Sequence, residues 1–235
     1  MIFRQLFDRE TCTYTYLLGD ESSKEAVLID PVLEQVDRDT QLLKNMGLNL
    51  TFCLNTHVHA DHITGSGLLK GKWPGCKSVL GAEGNETAVS DVKVAEGETI
   101  SFGSHKIEVL STAGHTNGCH TFVVRDQGTI YIFTGDAVLV NGCGRTDFQQ
   151  GSSRNLYNNI HTKVFTFPDD ALIYPAHDYK GYTVTTVGQE KTFNPRLTKS
   201  VEEFIDIMAN LNLPYPAKID ASLPANLVCG LQNLP

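Results

Sequence analysis

The sequence predicts an α/β chain in which two mixed β-sheets are covered by helices, an αββα layering. Strand-like and helical stretches alternate in both halves of the 235 residues. Several neighbouring strand-like runs are bounded by Gly, Asp or Asn turn chemistry, as antiparallel pairs require. With 41% of residues hydrophobic, the chain can fill a substantial core.

The N-terminal stretch Met1-Ile2-Phe3-Arg4-Gln5-Leu6-Phe7-Asp8 turns acidic too early for a signal or transit peptide and leads into strand-like sequence. Runs 13–18 and 25–30 read as strands, and 36–46 as a helix with Leu42 and Leu43 facing inward. The apolar run 50–55 reads as a buried strand. Residues 61–70 can start a helix whose first turn carries Asp61 and His62; Gly65 and Gly67 there suggest close backbone approach. Strands are expected at 77–80, 99–102, 106–111, 120–125 and 129–134, a helix at 153–165 and a strand at 171–174. A final helix over 199–211 carries Val201, Phe204, Ile205 and Met208 at helical spacing. From Pro214 a proline-rich tail is expected to wrap the surface. The domain reading is one unit over 1–235, with a helical and irregular extension from about residue 180.

A net charge of −8 argues against nucleic acid or an anionic membrane as partner. No apolar run approaches the length of a membrane span. The six cysteines, at 12, 53, 76, 119, 143 and 229, are irregularly spaced without Cys-x-x-Cys, which reads as free thiols.

The most informative stretch follows the strand at 50–55: Thr56-His57-Val58-His59-Ala60-Asp61-His62. Four potential metal ligands stand within six residues at a strand end. Three imidazoles and a carboxylate packed without a metal would carry desolvation and repulsion costs, which a metal removes. Three further candidates stand where later strands end: His115 in Ala113-Gly114-His115-Thr116-Asn117-Gly118, Asp136 in Phe133-Thr134-Gly135-Asp136-Ala137, and His177 in Tyr174-Pro175-Ala176-His177-Asp178. Loops at strand ends are where scaffolds place chemistry. His105, His120 and His161 fit no such block and are read as structural or surface residues.

Two site designs can be filled from these residues. In a binuclear centre, His57, His59 and His115 hold one metal, Asp61, His62 and His177 the other, and Asp136 bridges them to activate a water. In a mononuclear centre, His57, His115 and Asp136 form a two-histidine, one-carboxylate facial triad with open positions. Residue identities alone do not choose.

The order His-x-His-x-Asp-His, Gly-His, Gly-Asp and Ala-His resembles the metallo-β-lactamase superfamily across nearly the whole chain, and implies its αββα sandwich. Fold alone does not settle function there. The stretch Gly142-Cys143-Gly144-Arg145-Thr146-Asp147-Phe148-Gln149-Gln150-Gly151 narrows the match. With Ile29-Asp30-Pro31-Val32, Pro175-Ala176-His177-Asp178-Tyr179 and Asn194-Pro195-Arg196-Leu197, it resembles the persulfide dioxygenases, the sulfur dioxygenases of mitochondrial sulfide oxidation affected in ethylmalonic encephalopathy. Glyoxalase II is a close relative, a hydroxyacylglutathione hydrolase with a binuclear site and typically a longer C-terminal helical region; here only 58 residues follow His177.

The resemblance implies an oxidoreductase that holds one Fe(II) per chain through His57, His115 and Asp136, with His59, Asp61, His62 and His177 around it or at second-metal positions. It implies oxidation of glutathione persulfide by O2 to sulfite and glutathione, with both oxygen atoms incorporated. A homodimer and a mitochondrial location are inherited expectations. Glutathione is anionic, so cations are expected near it. Arg145 and Arg196 are the candidates, with Tyr179 as a hydrogen-bonding wall. Arg145 is equally readable as a structural clamp on Asp147. The rivals are a glyoxalase II type thioester hydrolase and a non-catalytic metal-binding module.

Overall fold

The computed structural model describes residues 1–231. Its layers follow from side-chain alternation along the strands. In β2 (Thr13–Gly19), Tyr14, Tyr16 and Leu18 face the space between the two sheets, while Leu17 faces outward. In β3 (Glu25–Ile29), Val27 and Ile29 point inward, and Ala26 and Leu28 outward. The same split recurs in β10 (Thr129–Gly135), with Phe133 between the sheets and Ile132 under the helices. Strands with both faces covered must be apolar on both, as these are.

The first sheet has the order β1 (Ile2–Asp8), β2, β3, β4 (Asn49–Leu54), β5 (Lys77–Gly81), β6 (Val92–Val94). It is antiparallel up to β3 and parallel from β3 to β6. The second sheet runs β12 (Thr185–Thr186), β11 (Leu172–Pro175), β10, β9 (His120–Asp126), β8 (His105–Ser111), β7 (Thr99–Phe102). Only β10 and β11 are parallel neighbours there. Helices α1 (Val36–Asn45) and α2 (Ser66–Lys72) cover the first sheet through Val36, Leu43 and Leu69. Helices α3 (Ser153–Asn159) and α5 (Val201–Ala209) cover the second through Leu156, Phe204 and Met208. The αββα layering expected from sequence is therefore present.

Backbone bonds join the sheets at one edge. Tyr14 N donates to Ala176 O (2.7 Å) and His120 N to Thr56 O (2.8 Å). The chain leaving β3, β4, β10 and β11 reaches that edge with residues 30, 56–62, 136 and 177, so parallel strand ends gather the polar residues.

Four expectations need correction. Asp61 and His62 lie in a loop ahead of α2, not in a helical turn. The loop is pinned to the end of β3, with Leu33 N donating to Ile63 O and Gly65 N to Pro31 O, and this bends the chain before a helix can begin. Gly65 and Gly67 do mark close approach: an added Cβ would stand 2.8 Å from Val36 Cγ2 and 2.6 Å from Cys229 O. The helix at 153–165 divides into α3 and a π-helical turn, Ile160–Val164. The helix at 199–211 is not the last. After it comes α6 (Ile219–Asn226), which contains Pro224 and buries Ile219, Ser222, Ala225 and Asn226, so the segment beyond Pro214 is no simple surface wrap. A helix-internal proline and a weak apolar stripe concealed it. Two short strands, β6 and β12, and α4 (Val187–Phe193) also fell outside the sequence reading. Residues 232–235 of the predicted domain and tail lie outside the described residues.

All six cysteines are free, five of them buried. Among the described residues, no helix is long and apolar enough to cross a membrane.

Candidate metal centre

Every predicted ligand arrives at the shared sheet edge, in two groups. His57, His115 and Asp136 form one; His59, Asp61, His62 and His177 form the other, and within each group the ligand atoms lie within 4.8 Å of one another. His59 thus falls with the second group, unlike the binuclear partition read from sequence. The groups are contiguous, with the His57 and His59 rings 4.0 Å apart between centroids.

A buried carboxylate orients the imidazoles. Asp30, 1% exposed, directly follows β3. Its Oδ1 accepts from Thr56 N (2.7 Å) and from His59 Nε2 (2.9 Å). Its Oδ2 accepts from Thr56 Oγ1 (2.9 Å). Having given its proton to Asp30, the Thr56 hydroxyl must accept from His57 Nδ1, 3.0 Å away. His115 Nδ1 donates to the carbonyl of Arg145 at 2.6 Å. The consequence is a fixed set of tautomers: bare lone pairs remain at His57 Nε2, His59 Nδ1 and His115 Nε2.

Those lone pairs are the sign of a metal. His57 Nε2, His59 Nδ1 and His62 Nε2 are all buried without a hydrogen-bond partner. One such orphan is costly, and three in one place are not explained by packing. Imidazole nitrogen and carboxylate oxygen suit zinc or iron.

His177 lies between two carboxylates. Its Nδ1 donates to Asp136 Oδ1 at 2.7 Å. Its Nε2 is 2.6 Å from Asp61 Oδ2 but is not aligned for a hydrogen bond. Burial opposes a charge on His177, but Asp136 and Asp61 override it and hold the pKa well above the usual range. Burial alone would raise Asp136, yet His177, His115 and His57 keep its carboxyl well below the ordinary value. His57 and His62 are pushed down, first by burial and then by neighbouring imidazoles.

A close approach seats Asp136. Gly135 has φ +56°, and a Cβ there would stand 2.6 Å from Thr56 Oγ1. Thr134 Oγ1 donates to Val138 O (2.8 Å), which closes the turn carrying Asp136. Asp178 accepts from Lys180 N (2.8 Å) and Tyr182 N (2.7 Å), so it anchors the loop after β11.

The three substrate candidates differ in what they already bind. Arg145 grips Asp147 with two bonds of 2.7 Å and donates to Pro214 O (2.8 Å). A cavity of about 350 Å³ opens beside it, lined in part by Thr146, Ser153, Met208 and Leu213. Arg196 Nη1 donates to Cys143 O (3.1 Å). Tyr179 is 69% exposed, its ring parallel to that of His177 with centroids 6.3 Å apart. His105, His120 and His161 contact Asp20, Glu83 and the carbonyls of Tyr157 and Leu197 away from the ligand groups. Sequence reasoning used Asp30 only as part of a matching motif and missed its role with Thr56. The available signal was a lone acid directly after an apolar strand.

The metallo-beta-lactamase superfamily profile matches residues 12–177, which include all seven predicted ligands. A human relative, "Persulfide dioxygenase ETHE1, mitochondrial", is 56% identical over 233 residues, 99% of this chain and 90% of that protein. The crystal structure of ETHE1 from Myxococcus xanthus superposes with a TM-score of 0.93 at 52% identity, over 98% of this chain and 100% of that one. The chain belongs to the persulfide dioxygenase family. A relative in Schizosaccharomyces pombe, named a probable hydroxyacylglutathione hydrolase, is 29% identical over 88% of this chain and 89% of that protein. The persulfide dioxygenases are thus much nearer to this chain than the named hydrolase.

The histidine shifts set the pH response of the metal-free protein. Below the ordinary histidine range the unfolded chain takes up protons on His57, His62 and His177, whereas burial disfavours protonation of folded His57 and His62, and folded His177 keeps its proton. Below pH ~6.5 the unfolded state therefore binds more protons and stability falls with acid. Above pH ~7 only folded His177 holds its proton, so stability falls there as pH rises. Urea midpoints of metal-free protein from pH 5 to 8 should peak between these limits; a midpoint still rising at pH 5 would contradict the assignment.

Proposed function

We propose that this chain oxidises glutathione persulfide. The persulfide, O2 and water give sulfite and glutathione, both atoms of O2 entering the terminal sulfur. The enzyme is an oxidoreductase, a persulfide dioxygenase, and its full-length likeness to that family carries the reading. The glutathione carrier, the metal and the residue roles are our assignments.

The metal is one ferrous ion, held by His57 Nε2, His115 Nε2 and Asp136. It would supply electrons to O2 and one anchor for both reactants. A single metal is our assignment: the second group has partners of its own, while His59 Nδ1 and His62 Nε2 there stay bare. Asp61 is engaged by His62 (3.0 Å) and His177, His177 by Asp136, and His59 by Asp30. The positive His177 then sits where a second cation would otherwise balance two carboxylates.

The remaining residues shape the encounter. His57, His59, His62 and His177 are each 1% exposed, so the floor of the site is dry. The side chains of His115 and Asp61 are 14% and 32% exposed and mark the entrance. A persulfide entering over them would have Tyr179 along its glutathione end, with Arg145 and Arg196 as the cations behind. Holding both reactants at one point replaces a chance encounter with an intramolecular one. We further propose a single functional domain, a homodimer and, following the human relative, a mitochondrial location.

Metal content with oxygen uptake separates this enzyme from a two-metal thioester hydrolase. Wild-type protein should hold a single ferrous ion and consume O2 with glutathione persulfide. His57→Ala should lose both properties, and His62→Ala should keep the ion. Two metals at full occupancy with thioester cleavage and no oxygen uptake would overturn the proposal. Arg196→Ala should raise the KM for glutathione persulfide several-fold with little change in kcat, as removal of a charged contact does. An unchanged KM with lowered stability would assign Arg196 to loop packing alone.

A further inference from the structure

The loop that carries His57, His59, Asp61 and His62 has little regular structure of its own, so its backbone polar groups need partners elsewhere. One side chain provides three of them. Asn226, the last residue of α6 and 4% exposed, donates from Nδ2 to His59 O (2.8 Å) and to His62 O (2.8 Å). Its Oδ1 accepts from Thr64 N (2.8 Å). Both amide hydrogens and the oxygen are used, and more than 160 residues separate the partners in sequence. Beside this contact, Gly67 N donates to Cys229 O (3.1 Å). Asn226 also lines a small cavity together with His57 and His59.

We propose that Asn226 is a positioning residue for the metal centre: it fixes the carbonyls of His59 and His62 against one amide and thereby sets the backbone from which the ligand imidazoles project. This rests on the metal-centre reading above. Its side-chain hydrogen bonds among the described residues all go to main-chain atoms and none to either ring, so its effect runs through the main chain. The isosteric substitution Asn226→Asp is a sharp test of the geometry. A carboxylate keeps the bond from Thr64 N but turns an acceptor toward two carbonyls that need donors. Supporting groups of this kind commonly change metal affinity by about 10–100-fold.

The test measures the ferrous Kd by chelator competition, beside the urea midpoint of each metal-free protein, for wild type, Asn226→Asp, Asn226→Ala and Ile219→Ala. Ile219 is buried at the other end of α6, and its truncation loosens the helix without removing these bonds. The expected result is a Kd raised at least about tenfold in Asn226→Asp and several-fold in Asn226→Ala, with Ile219→Ala within about twofold of wild type despite a lower midpoint. The alanine variant leaves room for water and serves if the aspartate variant does not fold. Equal Kd values in wild type and the Asn226 variants, or an equal rise in Ile219→Ala, would overturn the proposal and leave the metal centre standing. A wild-type protein without ferrous affinity would overturn both.

Discussion

One buried carboxylate governs the centre. Asp30 accepts from Thr56 and His59 and, through the Thr56 hydroxyl, fixes His57 as well. It does so from a left-handed backbone conformation, φ +52°, which costs a non-glycine residue on the order of 1 kcal/mol. The surroundings hold it there: Asp30 N donates to Leu54 O and Thr15 Oγ1 to Asp30 O, each at 2.8 Å. Strain at the end of β3 is exchanged for imidazoles already turned toward the metal. A rigid preset of this kind lowers the reorganisation that binding would otherwise demand.

The charge pattern follows from the same arrangement. Two carboxylates and five imidazoles share one dry pocket, and a fully ionised or fully neutral set would be unstable there. The structure divides the roles by neighbour. Burial and neighbouring imidazoles disfavour a proton on His57 and His62; His177, between carboxylates, keeps its proton. Within the second group the protonated His177 offsets the charge of Asp61 and Asp136.

Much of this was legible from the chain. Alternating apolar residues in 13–18 and 25–30 set the sheet faces, and the histidine run after β4 announced the centre. Legibility failed where long-range contacts decide. Asp61 and His62 do not begin a helix because Pro31 and Leu33 pin their loop. Helix α6 forms around Pro224 because it docks beneath that loop, a contact no local pattern encodes. The importance of Asp30 depends on Thr56 and His59 approaching across strands. Arg145 shows the reverse case: the nearby Asp147 made a clamp readable from spacing, and the two side chains do pair.

The account stands on the placement of three protons, and nitrogen-15 NMR of the histidine rings in metal-free protein measures it directly. The prediction is Nδ1–H for His57 and His115 and Nε2–H for His59, leaving the opposite nitrogens bare. A proton found on His57 Nε2 or His59 Nδ1 in the folded protein at neutral pH would contradict it.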